Sequence, residues 1–186
     1  MISAEFFHSG LPYDEFLQQH GSETDRNKWQ AALDAISLSE DQKRLLSGFT
    51  REMRVLVFAG AWCGDCVSQC PILRQFEICS DKIQLRFMDR DANPTLRDSM
   101  GLCGAPRVPQ TVIFSEEDFF VSRHADKTLA RYRKIVESMA GEVCSSGILI
   151  GNDPVQQAIV QDWLDEFEHA QLMLRTSSRL RQKHGD

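Results

Sequence analysis

Three cysteines fall within eight residues in the segment AWCGDCVSQCP, which runs from Ala61 to Pro71. Two residues separate Cys63 from Cys66, a spacing that suits a pair of thiols able to form a disulfide, and Cys70 follows four residues later. Thiolates also bind zinc and iron–sulfur clusters, and free cysteine is one of the residue types most often buried. The segment is therefore a redox site, a metal site or a buried helix rich in sulfur.

The residues before this segment predict how its first cysteine is placed. Val55 to Phe58 form a short continuous apolar run, which is typical of a strand buried on both faces. Because that strand runs directly into the cysteines, Cys63 is expected at the N-terminus of the next helix, where unpaired backbone N–H groups and the helix dipole favour an anion. We therefore predict a lowered pKa for the Cys63 thiol, which makes it the nucleophile. Cys66, one turn deeper, is then expected to resolve the mixed disulfide.

In the rest of the central region, the spacing of the apolar residues changes repeatedly between the period of a strand and the period of a helix. For residues 51–141 this periodicity predicts the element order β-α-β-α-β-β-α. After the first strand come a helix to about residue 79, a strand at 83–89, a short helix at 94–100, a hairpin of 111–114 with 119–121, and a helix at 129–139 that Gly141 ends. The last of these helices carries one apolar face. We treat residues 51–141 as the core of the protein.

Both ends of the chain are predicted to be helical. Residues 1–50 form an N-terminal helical extension, in which Ser39 and Gln42 make a capping box. Residues 142–186 form a C-terminal helical extension that packs on the core, with a long amphipathic helix from about Pro154. The apolar stripe of this helix is expected to be buried on the core, or else against a second copy of the chain in a homodimer. The stripe consists of Val155, Ile159, Trp163, Phe167, Ala170 and Leu174.

Composition and charge narrow the possible functions. A chain of 186 residues with 42% hydrophobic and 26% charged residues suits one domain with extensions, and it holds no apolar run long enough to span a membrane. The net charge of −6 argues against binding to nucleic acid, and the basic tail at 175–184 is interpreted as a solvated helix end. No secretion signal is seen in the first residues, so we expect a cytoplasmic protein, in which close cysteines are usually catalytic or metal-binding.

Several of these features together resemble the thioredoxin family. The resemblance rests on a strand followed by Trp62 and the sequence CGDC, on Pro71 five residues after the second cysteine, and on Val108-Pro109 before a later strand. It covers residues 51–141 and implies a thioredoxin-like α/β fold. In that fold a central four-stranded mixed sheet is flanked by helices, and this chain adds N-terminal helices and a long C-terminal helix.

The resemblance also implies an activity and the residues that perform it. The protein is expected to be a thiol-disulfide oxidoreductase that uses Cys63 and Cys66 and needs no cofactor. The family's proline is cis and faces the dithiol, so Val108 and Pro109 are expected to bind an extended substrate segment through the Val108 backbone. Trp62 is expected to be a surface aromatic residue beside the nucleophile and to contact the substrate.

The sequence departs from the family pattern at three places. Val57 stands six residues before the first cysteine, where thioredoxins carry a buried aspartate that helps to accept the proton of the second cysteine. Asp65 replaces the usual proline between the cysteines, and we hypothesise that its carboxylate raises the pKa of Cys63 and makes the dithiol more reducing. The loop at 101–107, GLCGAPR, is longer than the usual approach to the cis-proline.

The expected partners follow from a dithiol mechanism. The substrates are disulfide-containing proteins or small thiol compounds, and a separate reductase must restore the dithiol after each turnover. Neither nucleic acid nor a membrane is expected as a partner.

Two other functions stay open on the sequence alone. Cys63, Cys66 and Cys70 are three potential metal ligands, although a fourth is missing unless His124 approaches through the fold. The protein is otherwise a thioredoxin-fold interaction module in which the dithiol is idle. A redox role for Cys70 or Cys103 is also left open, while Cys79 and Cys144 are interpreted as packing residues or surface thiols.

Overall fold

The computed structural model of the protein describes residues 2–140 and 154–186. Gly141 and Cys144, for which the sequence made predictions, lie outside the described residues. The elements are α1 (Glu5–Ser9), α2 (Tyr13–His20), α3 (Glu23–Ala35), α4 (Glu40–Ser47), β1 (Met53–Ala59), α5 (Gly64–Cys79), β2 (Ile83–Asp89), α6 (Pro94–Ser99), β3 (Gln110–Ser115), β4 (Phe120–Ala125), α7 (Leu129–Ala140), α8 (Pro154–Thr176) and α9 (Ser178–His184).

The four strands form one mixed sheet in the order β2-β1-β3-β4. Strand β1 pairs in parallel with β2 and antiparallel with β3, and β3 pairs antiparallel with β4. The central strand β1 is buried along almost its whole length, as its continuous apolar run predicted. The predicted α/β fold with a four-stranded mixed sheet is therefore confirmed.

Most of the predicted element boundaries agree with the structure to within a few residues. The helix that begins at the cysteines ends at Cys79, and the strand after it ends at Asp89, both as predicted. The capping box is present: the Ser39 hydroxyl accepts from the Gln42 N–H at 3.2 Å, and the Gln42 side chain accepts from the Ser39 N–H at 3.0 Å. Strand β4 continues to Ala125, beyond the predicted strand, because it pairs with β3 as far as Gln110.

The N-terminal helices are attached to the sheet by an aromatic cluster. The rings of Tyr13, Phe16 and Trp29 all pack against Phe87 of β2, with centroids 5.3 to 6.4 Å apart. The indole N–H of Trp29 also donates a hydrogen bond of 2.7 Å to the C=O of Ala61, two residues before the first cysteine. Helix α3 therefore helps to fix the loop that leads into the cysteines, a role that the sequence did not reveal.

The apolar stripe of α8 is buried within the chain itself. The ring of Phe167 packs edge-on against Phe76 of α5 at 5.4 Å. The indole N–H of Trp163 donates to the Gln69 side chain of α5 at 3.1 Å. Because α5 carries the cysteines, α8 supports that helix from behind. The stripe that suggested a dimer surface is thus covered by the protein's own helix.

The basic side chains of the tail are exposed, as the sequence interpretation expected, and they also form contacts that the sequence did not reveal. Three of them form ion pairs with the acidic turn between β3 and β4. Arg179 pairs with Glu117 at 2.6 Å, and both Lys183 and His184 pair with Glu116, at 2.5 and 3.0 Å. The turn and the tail are brought together because α8 runs back along the sheet, a long-range contact that local sequence does not encode.

Helix α7 exposes four of the five side chains that the sequence pattern placed on its apolar face, and the fifth, Ile135, is partly buried. Leu129, Tyr132, Val136 and Met139 are all exposed in the described part of the chain. The helix contacts α8 instead through its first turn, where Ala130 packs on the core and its N–H donates to Asp162 at 2.7 Å. Among the described residues, no helix has the length and apolar character required to cross a bilayer.

Candidate active site

The first cysteine stands where the sequence predicted it, at the N-terminus of the helix that follows β1. Cys63 is the N-cap residue of α5, with extended backbone angles, and its N–H donates to the C=O of Gly60 at 3.0 Å. Its side chain is partly exposed, whereas Cys66 in the first turn is completely buried. The two thiols share a hydrogen bond. The exposed sulfur is thus the one that a substrate reaches first.

The fold brings a distant loop against the Cys63 sulfur. The Val108-Pro109 peptide bond is cis, and the Cys63 thiol donates a hydrogen bond to the C=O of Val108 across 3.7 Å. These residues are 45 positions apart in sequence and meet because β1 and β3 are neighbours in the sheet. The arrangement leaves a backbone segment beside the nucleophile that can pair with an extended chain.

Trp62 lies on the surface beside Cys63, and its ring is held in place from two sides. The side chain is 51% exposed, and the guanidinium of Arg90 stacks over the ring at 4.5 Å. The other side is occupied by the backbone of Gly60, where an added Cβ would lie only 2.9 Å from the indole. Glycine is therefore required at position 60 for the ring to take this position.

The pKa values of the two thiols differ from the sequence prediction. The pKa of Cys63 is raised, first by its hydrogen bond to the Cys66 sulfur and then by burial, although the N–H groups of Cys66 and Asp65 act in the opposite direction. Complete burial raises the pKa of Cys66 well above its usual value. Two thiols in contact do not ionise independently, so the pair holds its second proton tightly. Cys63 is the less buried thiol of the pair and faces these N–H groups, so its sulfur is the one that a substrate disulfide can reach.

Asp65 is paired with two cations that the sequence analysis did not identify. Its carboxylate lies 2.9 Å from Lys127 and 3.5 Å from Arg131, and Lys127 also contacts Asp126 at 3.1 Å. The cations come from the loop between β4 and α7 and from the first turn of α7. The tuning of Cys63 by Asp65 stays a prediction, and these ion pairs suggest how it would act: the carboxylate neutralises cations that would otherwise favour a thiolate at Cys63.

Replacing Asp65 by asparagine is expected to lower the pKa of the Cys63 thiol. The substitution keeps the size of the side chain and releases Lys127 and Arg131 from their carboxylate, and nearby cations favour the charged form of a thiol. Lys127→Gln is the opposite change and is expected to raise the same pKa. The rate of Cys63 alkylation, followed against pH, measures both shifts. An unchanged or raised pKa in Asp65→Asn would rule out any tuning by Asp65.

The remaining cysteines occupy different environments. Cys70 is completely buried and forms a hydrogen bond with Cys66, so three sulfurs follow one another along α5. Cys79 is partly buried at the far end of that helix, and Cys103 is exposed in the loop before Arg107. Within residues 2–140 and 154–186, no three His, Cys, Asp or Glu side chains are arranged to hold a metal ion. His124 instead interacts with Ser122 and Glu166.

Position 57 shows what replaces the family's buried aspartate. Val57 is completely buried in β1, and its partners in the neighbouring strands are Phe87 of β2 and Thr111 of β3. The hydroxyl of Thr111 is buried and makes no hydrogen bond to the described residues. Position 57 therefore supplies no carboxylate that could accept a proton from Cys66.

The fold and the paired cysteines together define a thioredoxin-type protein. Residues 10–137, more than two thirds of the chain, match the family model described as Thioredoxin, and the chain belongs to the thioredoxin family. The match begins well before residue 51, so it includes the whole of α2, α3 and α4, which the sequence analysis had placed in an extension. The division of the chain at residues 50 and 141 remains a prediction.

Two solved structures are similar to this fold over nearly its whole length. One is a protein of unknown function, PA1234, from Pseudomonas aeruginosa, with 20% identity, a TM-score of 0.65, and coverage of 92% of this chain and 93% of the other. The second is an HIV epitope-scaffold, with 20% identity, a TM-score of 0.60, and coverage of 90% and 92%. At this level of identity the likeness concerns the fold alone. No curated protein matches the sequence.

Proposed function

We propose that this protein is a thiol-disulfide oxidoreductase that reduces disulfides through Cys63 and Cys66. The observation that carries the proposal is the position of the Cys63 sulfur. It lies at the N-terminus of α5, within hydrogen-bond reach of the buried Cys66 thiol and of the Val108 C=O beside the cis-proline. An exposed sulfur, a buried partner and an adjacent backbone segment are the three parts that a dithiol reductase needs.

The proposed cycle transfers two electrons from the dithiol to the substrate. The Cys63 thiolate attacks one sulfur of the substrate disulfide, so that a Cys63–substrate bond forms, the substrate disulfide breaks and the first substrate thiolate leaves with a proton from solvent. Cys66 then loses its proton and attacks the Cys63 sulfur. This second exchange forms the Cys63–Cys66 disulfide and releases the second substrate thiol. In this cycle Val108 and Pro109 align the substrate chain, and Trp62 covers one side of the exchanging sulfurs.

The substrates of this activity and its electron donor are also proposals. The substrates are disulfide-containing proteins or small thiol compounds, and a separate reductase regenerates the dithiol. The setting proposed for these exchanges is the cytoplasm, where thiols are kept reduced. A homodimer through α8 remains a prediction. Because the stripe of that helix is buried, the surface left for such contact includes the exposed Leu172 and Met173.

A stoichiometric electron count tests the proposed function. Fully reduced protein, mixed with a small excess of a peptide disulfide and no other reductant, is expected to release two thiols per molecule and to lose two hydrogens in mass. Digestion should then place the new disulfide between Cys63 and Cys66. Cys79→Ser serves as the control, because this thiol lies at the opposite end of α5. Release of no thiol would refute the oxidoreductase and leave the interaction module as the remaining hypothesis.

A further inference from the structure

The residues around the Cys63 sulfur are unusually basic for a protein with a net charge of −6. We define the site rim as four cations that contact or adjoin the residues next to this sulfur: Arg90, Arg107, Lys127 and Arg131. Arg90 lies over Trp62, Lys127 and Arg131 contact the Asp65 carboxylate, and Arg107 directly precedes Val108. The acidic partners that the described residues provide for these cations are Asp65, Asp91 and Asp126.

Three of the four rim cations are largely covered and engaged in close contacts with other residues of the protein. Arg90 makes two hydrogen bonds to Asp91 and a third, at 3.4 Å, to the C=O of Pro106. Lys127 and Arg131 are largely covered and belong to the Asp65 ion pairs. These contacts satisfy their charges and leave little of their surface for a ligand.

Arg107 differs from the other three in exposure and in the strength of its contact. Its side chain is 41% exposed, and the ion pair that the structure gives it, to Asp126, is long at 3.5 Å. Asp126 is also bound by Lys127 at 3.1 Å and by the Tyr132 hydroxyl, so its charge is shared among three partners. A guanidinium has five N–H donors, and most of those on Arg107 remain available to a ligand.

The backbone of Arg107 is fixed beside the exchange site. Its N–H donates to the C=O of Ala105 at 2.9 Å, and its C=O accepts from the Gln110 side chain at 2.7 Å. The next residue, Val108, carries the C=O that accepts from the Cys63 thiol. A substrate chain lying along Val108 therefore places the neighbours of its own cysteine within reach of the Arg107 guanidinium.

We propose that Arg107 determines substrate specificity by binding a carboxylate next to the cysteine of the substrate disulfide, so that acidic peptide disulfides are the preferred substrates. This inference rests on the proposed oxidoreductase function and adds the substrate class. Arg107 binds the substrate and takes no part in the thiol exchange. A guanidinium pairs with a carboxylate in a two-bonded geometry that a lysine ammonium cannot reproduce.

Two peptide dimers, each joined by one disulfide, test this preference. One carries glutamate on both sides of its cysteine and the other carries glutamine, so that they differ in charge and hardly in shape. Pre-reduced protein is mixed with each in single turnover at low salt, and released thiol is measured. The wild type is expected to reduce the glutamate dimer about five-fold faster, and the ratio should fall towards one at high salt.

Substitutions at position 107 test whether Arg107 causes the preference for the glutamate dimer. Arg107→Gln is expected to bring the ratio of the two rates to about one, and Arg107→Lys to restore only part of it. The control is Arg44→Gln, which removes the same charge from an exposed position on α4 and should keep the wild-type ratio. A wild-type ratio of one, or a ratio that Arg107→Gln leaves unchanged, overturns the inference while the oxidoreductase stands. If neither dimer is reduced, both proposals fall.

Discussion

Replacing Cys63 by serine is expected to lower the rate of disulfide reduction by on the order of a thousandfold or more. A serine hydroxyl stays protonated at neutral pH and does not attack disulfides, so the first exchange has no nucleophile. Cys66 cannot take over this role because its sulfur is completely buried. The measurement is the single-turnover release of thiol from a peptide disulfide, compared with the Cys79→Ser protein.

The structure indicates that Cys63→Ser removes the nucleophile without destabilising the fold, so that a loss of activity can be attributed to the missing thiol. Position 63 is the N-cap of α5, and no side chain caps the helix there in the wild type. Serine is one of the most favourable N-cap residues and typically stabilises a helix by about 1 kcal/mol relative to a non-capping residue. Cys63→Ser should therefore unfold at the same temperature as the wild type or a higher one. Activity close to the wild-type rate in this folded variant would exclude Cys63 as the nucleophile.

Replacing Cys66 by serine is expected to stop the cycle after the first exchange. Cys63 can still attack the substrate, but no thiol remains beside it to displace the product, so a covalent adduct should accumulate. Turnover should fall on the order of a thousandfold, as in Cys63→Ser, whereas the first substrate thiol is still released in a burst. The mass of the intact protein should increase by that of one substrate half.

Among the cysteines that the structure describes, Cys70 is the one placed to interfere with this result. It forms a hydrogen bond with Cys66 and lies one turn further along α5. Because Cys70 is completely buried and distant from Cys63 along the helix, the adduct of Cys66→Ser should have the same lifetime with and without an added Cys70→Ser substitution. A longer lifetime in the double variant would instead show that Cys70 acts as a second resolving thiol.

The sequence was sufficient for the elements that depend on local patterns. The continuous apolar run at Val55 to Phe58 predicted a buried central strand because hydrophobic burial acts on neighbouring residues in a regular period. The capping box of Ser39 and Gln42 was visible because both partners lie within one turn. The cis peptide at Pro109 followed from a resemblance rather than from physical reasoning about the residues alone.

Contacts between distant segments were not predictable in the same way. The pairing of Asp65 with Lys127 and Arg131 depends on how the loop after β4 meets the start of α5, which no local pattern encodes. The same is true of the hydrogen bond from Trp29 to Ala61. The pKa of Cys63 was predicted in the wrong direction because helix position alone neglects its hydrogen bond to the Cys66 sulfur.

The most direct test of this account is to map the covalent adduct of the Cys66→Ser protein. The variant is mixed with a peptide disulfide, the exchange is stopped with acid, and the adduct is digested without reduction and analysed by mass spectrometry. The account predicts that the substrate half is joined to Cys63 and to no other cysteine. A substrate half attached to Cys70, Cys79 or Cys103, or the absence of any adduct, would contradict it.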